Sequence, residues 1–527
     1  MLKRLILIAG VVGCGGSGSM PPPESDAPPP SDSSQTCVTT VVARPGTVIT
    51  TTGPVTGTSD DGDGVFAWKG IPYAAPPVGE LRWRPPQPAP CWSDELVTTA
   101  FGPQCPQIDD ATGAVVGDES CLTVNVWARD GASGAPVLVF VHGGGNTNGS
   151  AFERGFYDGH AIAAATGAVV VTMQYRLGAL GFYASAELDA ERAEGVSGNY
   201  GILDQIAALA WVRDNVAGFG GAPEKVLLFG ESAGGQDTLV HVASPLSKGL
   251  FQAAIVESGG SYRTTLAQHE QAMIGLSDAV GCAPATAACM RAVPAATLAG
   301  VPSAVGPLST GMQYTPNIDG YVLAESVPDT IAHGGHAAVP LILGTNADET
   351  SRMVPKVTTD EDYQAAVRAQ YGAAANALLG LYPSASFASP QQALVRMTTD
   401  ITWTCPARRL VRSASEHQTA PVYRYHFEWT APGPGGASVG ATHGIEIPFV
   451  FGTFSALGGF TPSAEDRALS AAMQGYWTQL AASGSLDATW PRYDAATDPY
   501  LRLDRTIVVD AGLATTQCDA LDALVGD

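Results

Sequence analysis

Short apolar runs alternate along the chain with longer segments whose apolar positions recur at helical spacing. Five runs, "PVLVFV", "AVVVTM", "KVLLFG", "AAIVES" and "PLILGT", predict buried strands, because each is short, apolar and followed by glycine or polar residues. The segments "YGILDQIAALAWVRDNV" and "SAGGQDTLVHVAS" predict helices between such strands. This order predicts an α/β fold, with a mainly parallel central sheet flanked by helices on both faces.

The amino-terminal residues have the pattern of a targeting segment rather than that of a folded domain. Residues 1–13 carry two positive charges near the start, Lys3 and Arg4. The apolar run that follows is shorter than the roughly 20 residues of a membrane-spanning helix. "VVGC" resembles a bacterial lipobox, which predicts a signal peptide over 1–13 and an acylated Cys14. The alternative is an ordinary signal peptide cleaved nearby. Either reading predicts an extracytoplasmic mature chain.

The segment after Cys14 predicts a spacer. Residues 14–36 are rich in Gly, Ser and Pro and lack core-forming residues, so they form a linker. Residues 37–527 contain no second linker and no internal repeat. We therefore expect one large domain from residue 37 to the carboxyl terminus.

The composition limits the classes of ligand and partner that the chain is expected to bind. With 45% hydrophobic residues the chain can bury a large core, and its net charge of −23 lacks the basic footprint of a nucleic-acid-binding protein. Of nine cysteines, eight remain once Cys14 is set aside, an even number that suits disulfides in an oxidising compartment. No cysteine or histidine spacing resembles a metal site, so no metal is expected.

The motif "LFGESAGG" carries the first candidate chemistry. It follows the predicted strand "KVLLFG" and opens a predicted helix, which is the context of a nucleophilic serine in Gly-x-Ser-x-Gly. The glycines permit a sharp turn that projects Ser232 from the end of the strand. The competing interpretation of these few residues is a glycine-rich turn with an incidental serine.

A second glycine motif offers a site for negative charge. In "VFVHGGGNTNGS" a predicted strand ends at His142 and leads into three glycines. Backbone N–H groups of Gly144 and Gly145, joined by that of Ala233 after the serine, can form an oxyanion hole. The presence of both motifs on successive strands favours acyl-transfer chemistry over two incidental turns.

These motifs belong to a longer series. The segments "FAWKGIPYAAPPVGELRWRPPQP", "ESCLTVNVW", "HGGG", "VTMQYRLGALGF", "VLLFGESAGG", "SPLSKGLFQAAIVESG", "GTNADE" and "HGIEIPFVFG" resemble, in order, those of type-B carboxylesterases. The resemblance covers about residues 40–520. It implies an α/β-hydrolase fold with helical insertions around an active-site gorge, and hydrolysis of carboxylic esters without a cofactor.

The order Ser, acid, His of α/β-hydrolases directs the search for a base. His443 lies in the loop "GATHGIEIPF" after a predicted strand, and it matches the histidine motif of the family. His426 lies within the alternating strand "VYRYHFEW" and is expected to be a packed strand residue. His333 and His336 lie in a glycine-rich stretch and are expected to be solvent-exposed.

The strand "LILGT" leads into two carboxylates. The family pattern places its acid at the second of them, Glu349, with Asp348 as the alternative. Ser232 would then attack the ester carbonyl, His443 would take its proton, and Glu349 would orient His443.

The resemblance also implies three disulfides, Cys105–Cys121, Cys282–Cys289 and Cys405–Cys518. Cys37 and Cys91 remain, and parity predicts that they pair with each other.

Departures from the family bear on the substrate. Asn146 stands where many relatives have an aromatic residue, and Asp237 replaces a small or hydroxylic residue. Asn146 is therefore a candidate for the substrate pocket, whereas Asp237 has no explanation from sequence. Glu231 is a second pocket candidate, although most relatives carry this residue whatever their substrate. The segment between Cys105 and Cys121 has no aromatic residue to bind a quaternary ammonium, which argues against choline esters.

Together these observations predict a lipid-anchored serine carboxylesterase that acts on short to medium acyl or aryl esters, at a bacterial outer membrane or cell surface. Its contact with the membrane would be through the anchor only. A lipase for long-chain esters is one alternative, although no large apolar lid segment is evident. A non-catalytic binding or adhesion protein is another, but it would typically have lost the serine or the histidine.

Overall fold

The computed structural model describes residue 37 and residues 44–59, 62–304 and 312–525. The predicted signal peptide, Cys14 and the linker lie outside the described residues, so the boundaries at residues 13 and 36 stay predictions. None of the described helices has the length and apolar character that crossing a bilayer requires.

One large sheet runs through the described part of the chain. Its strands are β1 Val65–Pro72, β2 Thr123–Arg129, β3 Ala135–Val141, β4 Val169–Met173, β5 Gly221–Glu231, β6 Ala253–Glu257, β7 Leu341–Asn346, β8 Val422–Phe427, β9 Pro499–Leu503 and β10 Val508–Ala511. The five apolar runs of the sequence form β3 to β7, so their prediction as buried strands is confirmed.

The spatial order of the strands is β10-β9-β8-β7-β6-β5-β3-β4-β2-β1. Strands β3 to β9 pair in parallel, and β1, β2 and β10 add antiparallel edges. In the centre, Phe229 of β5 lies opposite Phe140 of β3 and Ile255 of β6. Because parallel strands end at the same edge of a sheet, the loops after β3, β5, β7 and β8 meet there.

Short strands lie outside the large sheet. Thr47–Ile49 and Pro54–Thr56 form an antiparallel pair that Leu96–Val97 extends in parallel. Gln107–Ile108 pairs with Val115–Val116 within the segment that the Cys105–Cys121 disulfide closes.

The helices cover both faces of the sheet. The α-helices are α1 His160–Thr166, α2 Gly178–Phe182, α3 Ala186–Asp189, α4 Tyr200–Asn215, α5 Ala233–Ala243, α6 Leu266–Ala279, α7 Ala287–Ala292, α8 Ala295–Ala299, α9 Val327–Ala332, α10 Asp360–Tyr371, α11 Ala375–Leu381, α12 Pro390–Thr399, α13 Cys405–His417, α14 Pro434–Val439, α15 Ile447–Phe451, α16 Ala464–Ser483 and α17 Thr515–Val525. A π-helix spans Asp400–Thr404. Short 3₁₀ helices are Gly79–Leu81, Glu153–Gly155, Val216–Phe219, Pro245–Ser247, Glu349–Arg352, Gly372–Ala374, Ser384–Ser386 and Phe454–Leu457.

Alternate residues of β3 enter two different cores. Val139 faces a core that includes Leu209 of α4 and Leu239 of α5. Phe140 faces the opposite core, with Ile162 of α1 and Met473 of α16. Since successive side chains of a strand point to opposite faces, the continuous apolar runs reflect burial of the sheet on both sides.

Helical insertions lie between the strands that bear the site. Helices α6 to α9 follow β6, and α10 to α13 separate β7 from β8. Part of the second insertion packs with α17 around a separate apolar cluster that contains the Cys405–Cys518 disulfide. All four predicted disulfides are present, including Cys37–Cys91.

Candidate active site

Ser232 lies in the sharp turn between β5 and α5. Its φ of 59° and ψ of −122° are a strained combination for a residue with a side chain. A Cβ atom on Gly234 would lie 2.0 Å from the carbonyl oxygen of Val141, and one on Gly230 would lie 2.3 Å from that of Gly234. The motif needs its glycines because two backbones approach closely at this turn, and the turn leaves Ser232 at the edge of the sheet.

The predicted oxyanion-hole residues lie beside Ser232. Gly144 and Gly145 have φ values of 107° and 63° and line the same cavity as Ser232 and Ala233. Among the described residues, the N–H groups of Gly144, Gly145 and Ala233 have no hydrogen-bond acceptor. They are therefore available to an oxyanion of a bound substrate.

His443 and Glu349 form a close pair. His443 Nδ1 lies 2.6 Å from Glu349 Oε2. The other carboxylate oxygen, Oε1, accepts hydrogen bonds from the Ser258 hydroxyl at 2.5 Å and from the Asn346 N–H at 2.7 Å. Glu349 is fully buried, so these donors replace the water that a carboxylate would otherwise bind.

Asp348, the alternative acid, has a different role. Its Oδ2 accepts a hydrogen bond from the N–H of Ala441 at 3.0 Å, while its own N–H donates to the carbonyl of Ala441. Asp348 thus joins the loop after β7 to the chain that precedes His443. Of the two neighbouring carboxylates, Glu349 is the one that contacts the imidazole.

The other imidazole nitrogen contacts a second carboxylate. His443 Nε2 lies 3.2 Å from Glu231 Oε1. Within the described residues, the hydroxyl of Ser232 makes no hydrogen bond to Nε2 in this resting geometry. Hydrogen bonds of this kind are often long in unliganded enzymes and tighten when substrate binds.

Several buried carboxylates lie close to His443 or to its neighbour Glu231. Burial raises the pKa of Glu231 to about 7 and that of Glu257 to about 8, and it raises the pKa of Glu446 well above its usual range. Burial lowers the pKa of His443, but the charges of Glu231 and Glu349 outweigh burial and raise it to about 10. Neither Glu257 nor Glu446 is evident as a site residue from the sequence. Glu257 ends β6 and approaches Glu231 through packing of the sheet, whereas Glu446 lies only three residues after His443 in the same motif.

We expect Glu231→Gln to shift the pH dependence of ester hydrolysis. Removing this anion destabilises the imidazolium form, so the pKa of His443 falls and the neutral base persists to lower pH. The acid limb of kcat/KM should move down by about one pH unit. Asp329→Asn, at a half-exposed carboxylate of the same cavity, is the matched control and should leave the limb in place. An unchanged limb in Glu231→Gln would contradict this electrostatic picture.

A cavity of about 1140 Å³ opens at Ser232 and His443. Trp403, in the π-helix, lines this cavity and lies 5.0 Å from the His443 ring, centroid to centroid. The sequence does not reveal Trp403 as a site residue, because no local signal distinguishes it from a core tryptophan. Among the described residues no group of His, Cys, Asp or Glu is arranged to hold a metal ion.

The two candidate pocket residues, Glu231 and Asn146, differ in where they lie relative to this cavity. Glu231 lines the cavity as predicted, but Asn146 does not. The positive φ of Asn146, 55°, directs its fully buried side chain towards Asp237 of α5 instead. The interpretation of Asn146 as a pocket residue is therefore wrong.

The remaining histidines lie outside the site. His426 is a buried residue of β8, as expected, and His333 is exposed and contacts Glu325. His336 is buried and bonded to Gln418, so its predicted exposure is wrong. The glycines before His336 did not reveal that the chain folds back against α13.

The strand order, the turn at Ser232 and the Glu349–His443 pair together define an α/β-hydrolase. Residues 44–521 match the model of the carboxylesterase family. The chain is 36% identical to the fumonisin B1 esterase of Sphingopyxis macrogoltabida, with 84% of each chain covered. It is 35% identical to the para-nitrobenzyl esterase of Bacillus subtilis, covering 88% of this chain and 96% of that one.

A solved structure of a PNB esterase agrees with these sequence matches. It covers 91% of this chain and 100% of its own, with a TM-score of 0.78 and 34% identity. This chain belongs to the carboxylesterase family. It is a carboxylic-ester hydrolase with the α/β-hydrolase fold, as the sequence predicted.

Proposed function

We propose that this chain hydrolyses short to medium acyl or aryl esters through an acyl-enzyme on Ser232. The observation that carries the proposal is a strained serine facing the same cavity as a histidine whose other nitrogen contacts a buried carboxylate. In this mechanism His443 accepts the proton of Ser232 as the hydroxyl attacks the ester carbonyl. Glu349 holds the imidazole in the required tautomer and stabilises its charged form.

The tetrahedral intermediate places a negative charge on the former carbonyl oxygen. The N–H groups of Gly144, Gly145 and Ala233 bind this oxyanion, and loss of one such donor typically costs roughly 10²–10³ in rate. His443 then gives its proton to the leaving alcohol. Water, activated by the same imidazole, releases the acid and restores Ser232.

The residues that line the cavity support short to medium esters, rather than long-chain esters, as the substrates. Charged and polar side chains occur among its lining residues, including Asp110, Gln236, Arg263 and Asp329. A long hydrocarbon chain favours a continuous apolar wall, since burying polar groups against it is costly. Trp403 and Leu410 offer apolar surface for a short acyl chain or an aromatic ring.

The test is hydrolysis of p-nitrophenyl esters, from acetate through butyrate and octanoate to palmitate, by the purified full-length chain. We expect kcat/KM to be highest for the short and medium esters. A palmitate optimum would make the protein a lipase for long-chain esters. Absence of turnover on every ester, from folded protein with intact disulfides, would contradict the proposal and favour a binding role.

We further propose that the chain is anchored outside the cytoplasm through an acylated Cys14, at the outer membrane or cell surface. The support is the lipobox-like "VVGC" after a basic start, followed by a Gly-, Ser- and Pro-rich spacer. Metabolic labelling with a clickable palmitate analogue should label the wild type and not Cys14→Ala. Label in both proteins would contradict an anchor at this cysteine.

A further inference from the structure

The predicted oxyanion hole is built from two separate parts of the chain. Gly144 and Gly145 belong to the loop after β3, whereas Ala233 is the first residue of α5. The loop and the helix must therefore keep a fixed relative position if their N–H groups are to bind one oxygen atom. A displacement of about 1 Å in such a site can cost roughly 10²-fold in rate.

A side-chain hydrogen bond joins these two parts. Asn146 Nδ2 donates to Asp237 Oδ1 at 3.1 Å, and it is the one hydrogen bond within the described residues that links loop 143–149 to α5. Asp237 lies four residues, or about one turn, after Ala233 on α5. Asn146 directly follows Gly145. The hydrogen bond therefore lies one residue from Gly145 on the loop and one helical turn from Ala233 on α5.

Besides its hydrogen bond to Asp237, Asn146 accepts two further hydrogen bonds. Its side-chain oxygen accepts from the Tyr175 hydroxyl at 3.2 Å, and its backbone carbonyl accepts from the N–H of Gly178 at 2.7 Å. The single hydroxyl hydrogen of Tyr175 is shared with the carbonyl of His142, directly before this loop, at 2.8 Å. Asparagine is one of the few residues with a side chain that tolerates a positive φ, so both its backbone and its amide suit this position.

Asp237 is held from the opposite side by a defined chain of hydrogen bonds. Gln205 Nε2 donates to Asp237 Oδ2 at 2.7 Å, which leaves Gln205 Oε1 to accept from His241 Nε2 at 2.8 Å. His241 Nδ1 must then accept from the Ser247 hydroxyl at 2.8 Å. Every donor points towards Asp237, whose two oxygens each accept one amide hydrogen.

The residues of this network are almost completely inaccessible to solvent: Tyr175, Asn146, Asp237, Gln205, His241 and Ser247. Leaving a buried carboxylate oxygen without its donor is costly. Since both oxygens of Asp237 are satisfied by neighbours on different elements, the network resists rotation of its side chain. Asp237 can therefore act as a rigid link from α4 and α5 to the loop.

We propose that Asn146 and Asp237 are a matched pair of positioning residues that align the two halves of the oxyanion hole. This inference rests on the proposed ester hydrolysis. It explains two departures from the family pattern with one contact, because an aromatic residue at position 146 could not donate to a small residue at 237. The pair acts through the N–H groups that bind the oxyanion, so it should influence the transition state more than substrate binding.

The first test is Asn146→Gly, which keeps the backbone conformation and removes the amide. We expect kcat for p-nitrophenyl acetate to fall roughly 10- to 100-fold, with KM within about twofold. The Ki of a trifluoromethyl ketone, which forms the tetrahedral adduct, should rise in parallel with the loss of kcat. Asn125→Ala, which removes another buried amide between β2 and β4, should lower the melting temperature and leave kcat unchanged.

The second test exchanges the pair. Asn146→Asp alone places two carboxyl groups in contact, which can share a proton at low pH but repel each other when both ionise. Its kcat should therefore fall as the pH rises above that of the wild-type optimum. Adding Asp237→Asn restores one donor and one acceptor across the contact, while Gln205 and Tyr175 keep acceptable partners. The double variant should recover at least half of the wild-type kcat at all pH values.

Wild-type kcat and Ki in Asn146→Gly, or no rescue by the exchange, would overturn the positioning role. A wild type that hydrolysed no ester would contradict the proposed function, and the positioning role would fall with it. The two failures are distinguishable, because the first appears only in the variants and the second already in the wild type. Melting temperatures of the wild type and the four variants separate a loss of alignment from a loss of folding.

Discussion

Replacing Ser232 with alanine is expected to lower kcat for p-nitrophenyl acetate by roughly 10⁴- to 10⁶-fold. The variant cannot form the acyl-enzyme, and only the oxyanion donors and the bound geometry remain. Alanine keeps a Cβ atom at φ 59°, so the turn itself should survive. The measurement is steady-state hydrolysis together with mass spectrometry after exposure to a fluorophosphonate, which should modify the wild type at Ser232.

The control for this loss is Ser261→Ala. Ser261 lines the same cavity but lies outside the turn, so its removal should change kcat by less than about threefold. Substantial turnover by Ser232→Ala, with modification at another residue, would show that the nucleophile is a different group. Equal losses in both serine variants would point to a general effect on the cavity.

Glu349→Gln is expected to lower kcat by roughly 10³- to 10⁴-fold with little change in KM. The glutamine amide would face His443 Nδ1 as a donor, which forces the proton of the imidazole onto Nε2. That tautomer cannot accept the proton of Ser232. The 2.6 Å contact between Nδ1 and Oε2 is the basis of this expectation. Steady-state kinetics over a range of substrate concentrations would separate kcat from KM.

Asp348→Asn is the matched comparison for Glu349→Gln. Asp348 supports the chain before His443 through Ala441, and asparagine can still accept that hydrogen bond. We expect a loss of less than about tenfold in kcat and a small decrease in melting temperature. The opposite ranking of the two variants would assign the acid to Asp348.

The sequence predicted the central strands well, because burial on both faces leaves a continuous apolar run in β3, β5 and β6. The spatial order was not accessible in the same way. Strand β5 lies beside β3 rather than β4, a crossover that depends on how helices pack across the whole sheet. The short strands near residues 47–56 carry too little periodicity to define their partners.

The residues of the site likewise differ in whether a local sequence motif reveals them. Ser232, Glu349 and His443 could be found because turns and strand ends leave local motifs. Ser258, which donates to Glu349, has no such motif and lies on the preceding strand end. Asn146 is a pocket candidate from the sequence because many relatives have an aromatic residue there, yet its left-handed backbone turns the side chain towards Asp237.

The Cys405–Cys518 disulfide closes a covalent ring of chain that contains His443. A protease that cuts one peptide bond inside this ring, for instance at the exposed glycines near residue 435, cannot release either fragment. The nicked chain stays tethered, so the histidine remains next to the strand that bears Glu349. In an environment rich in secreted proteases, this tether would extend the working life of the enzyme beyond the first cleavage.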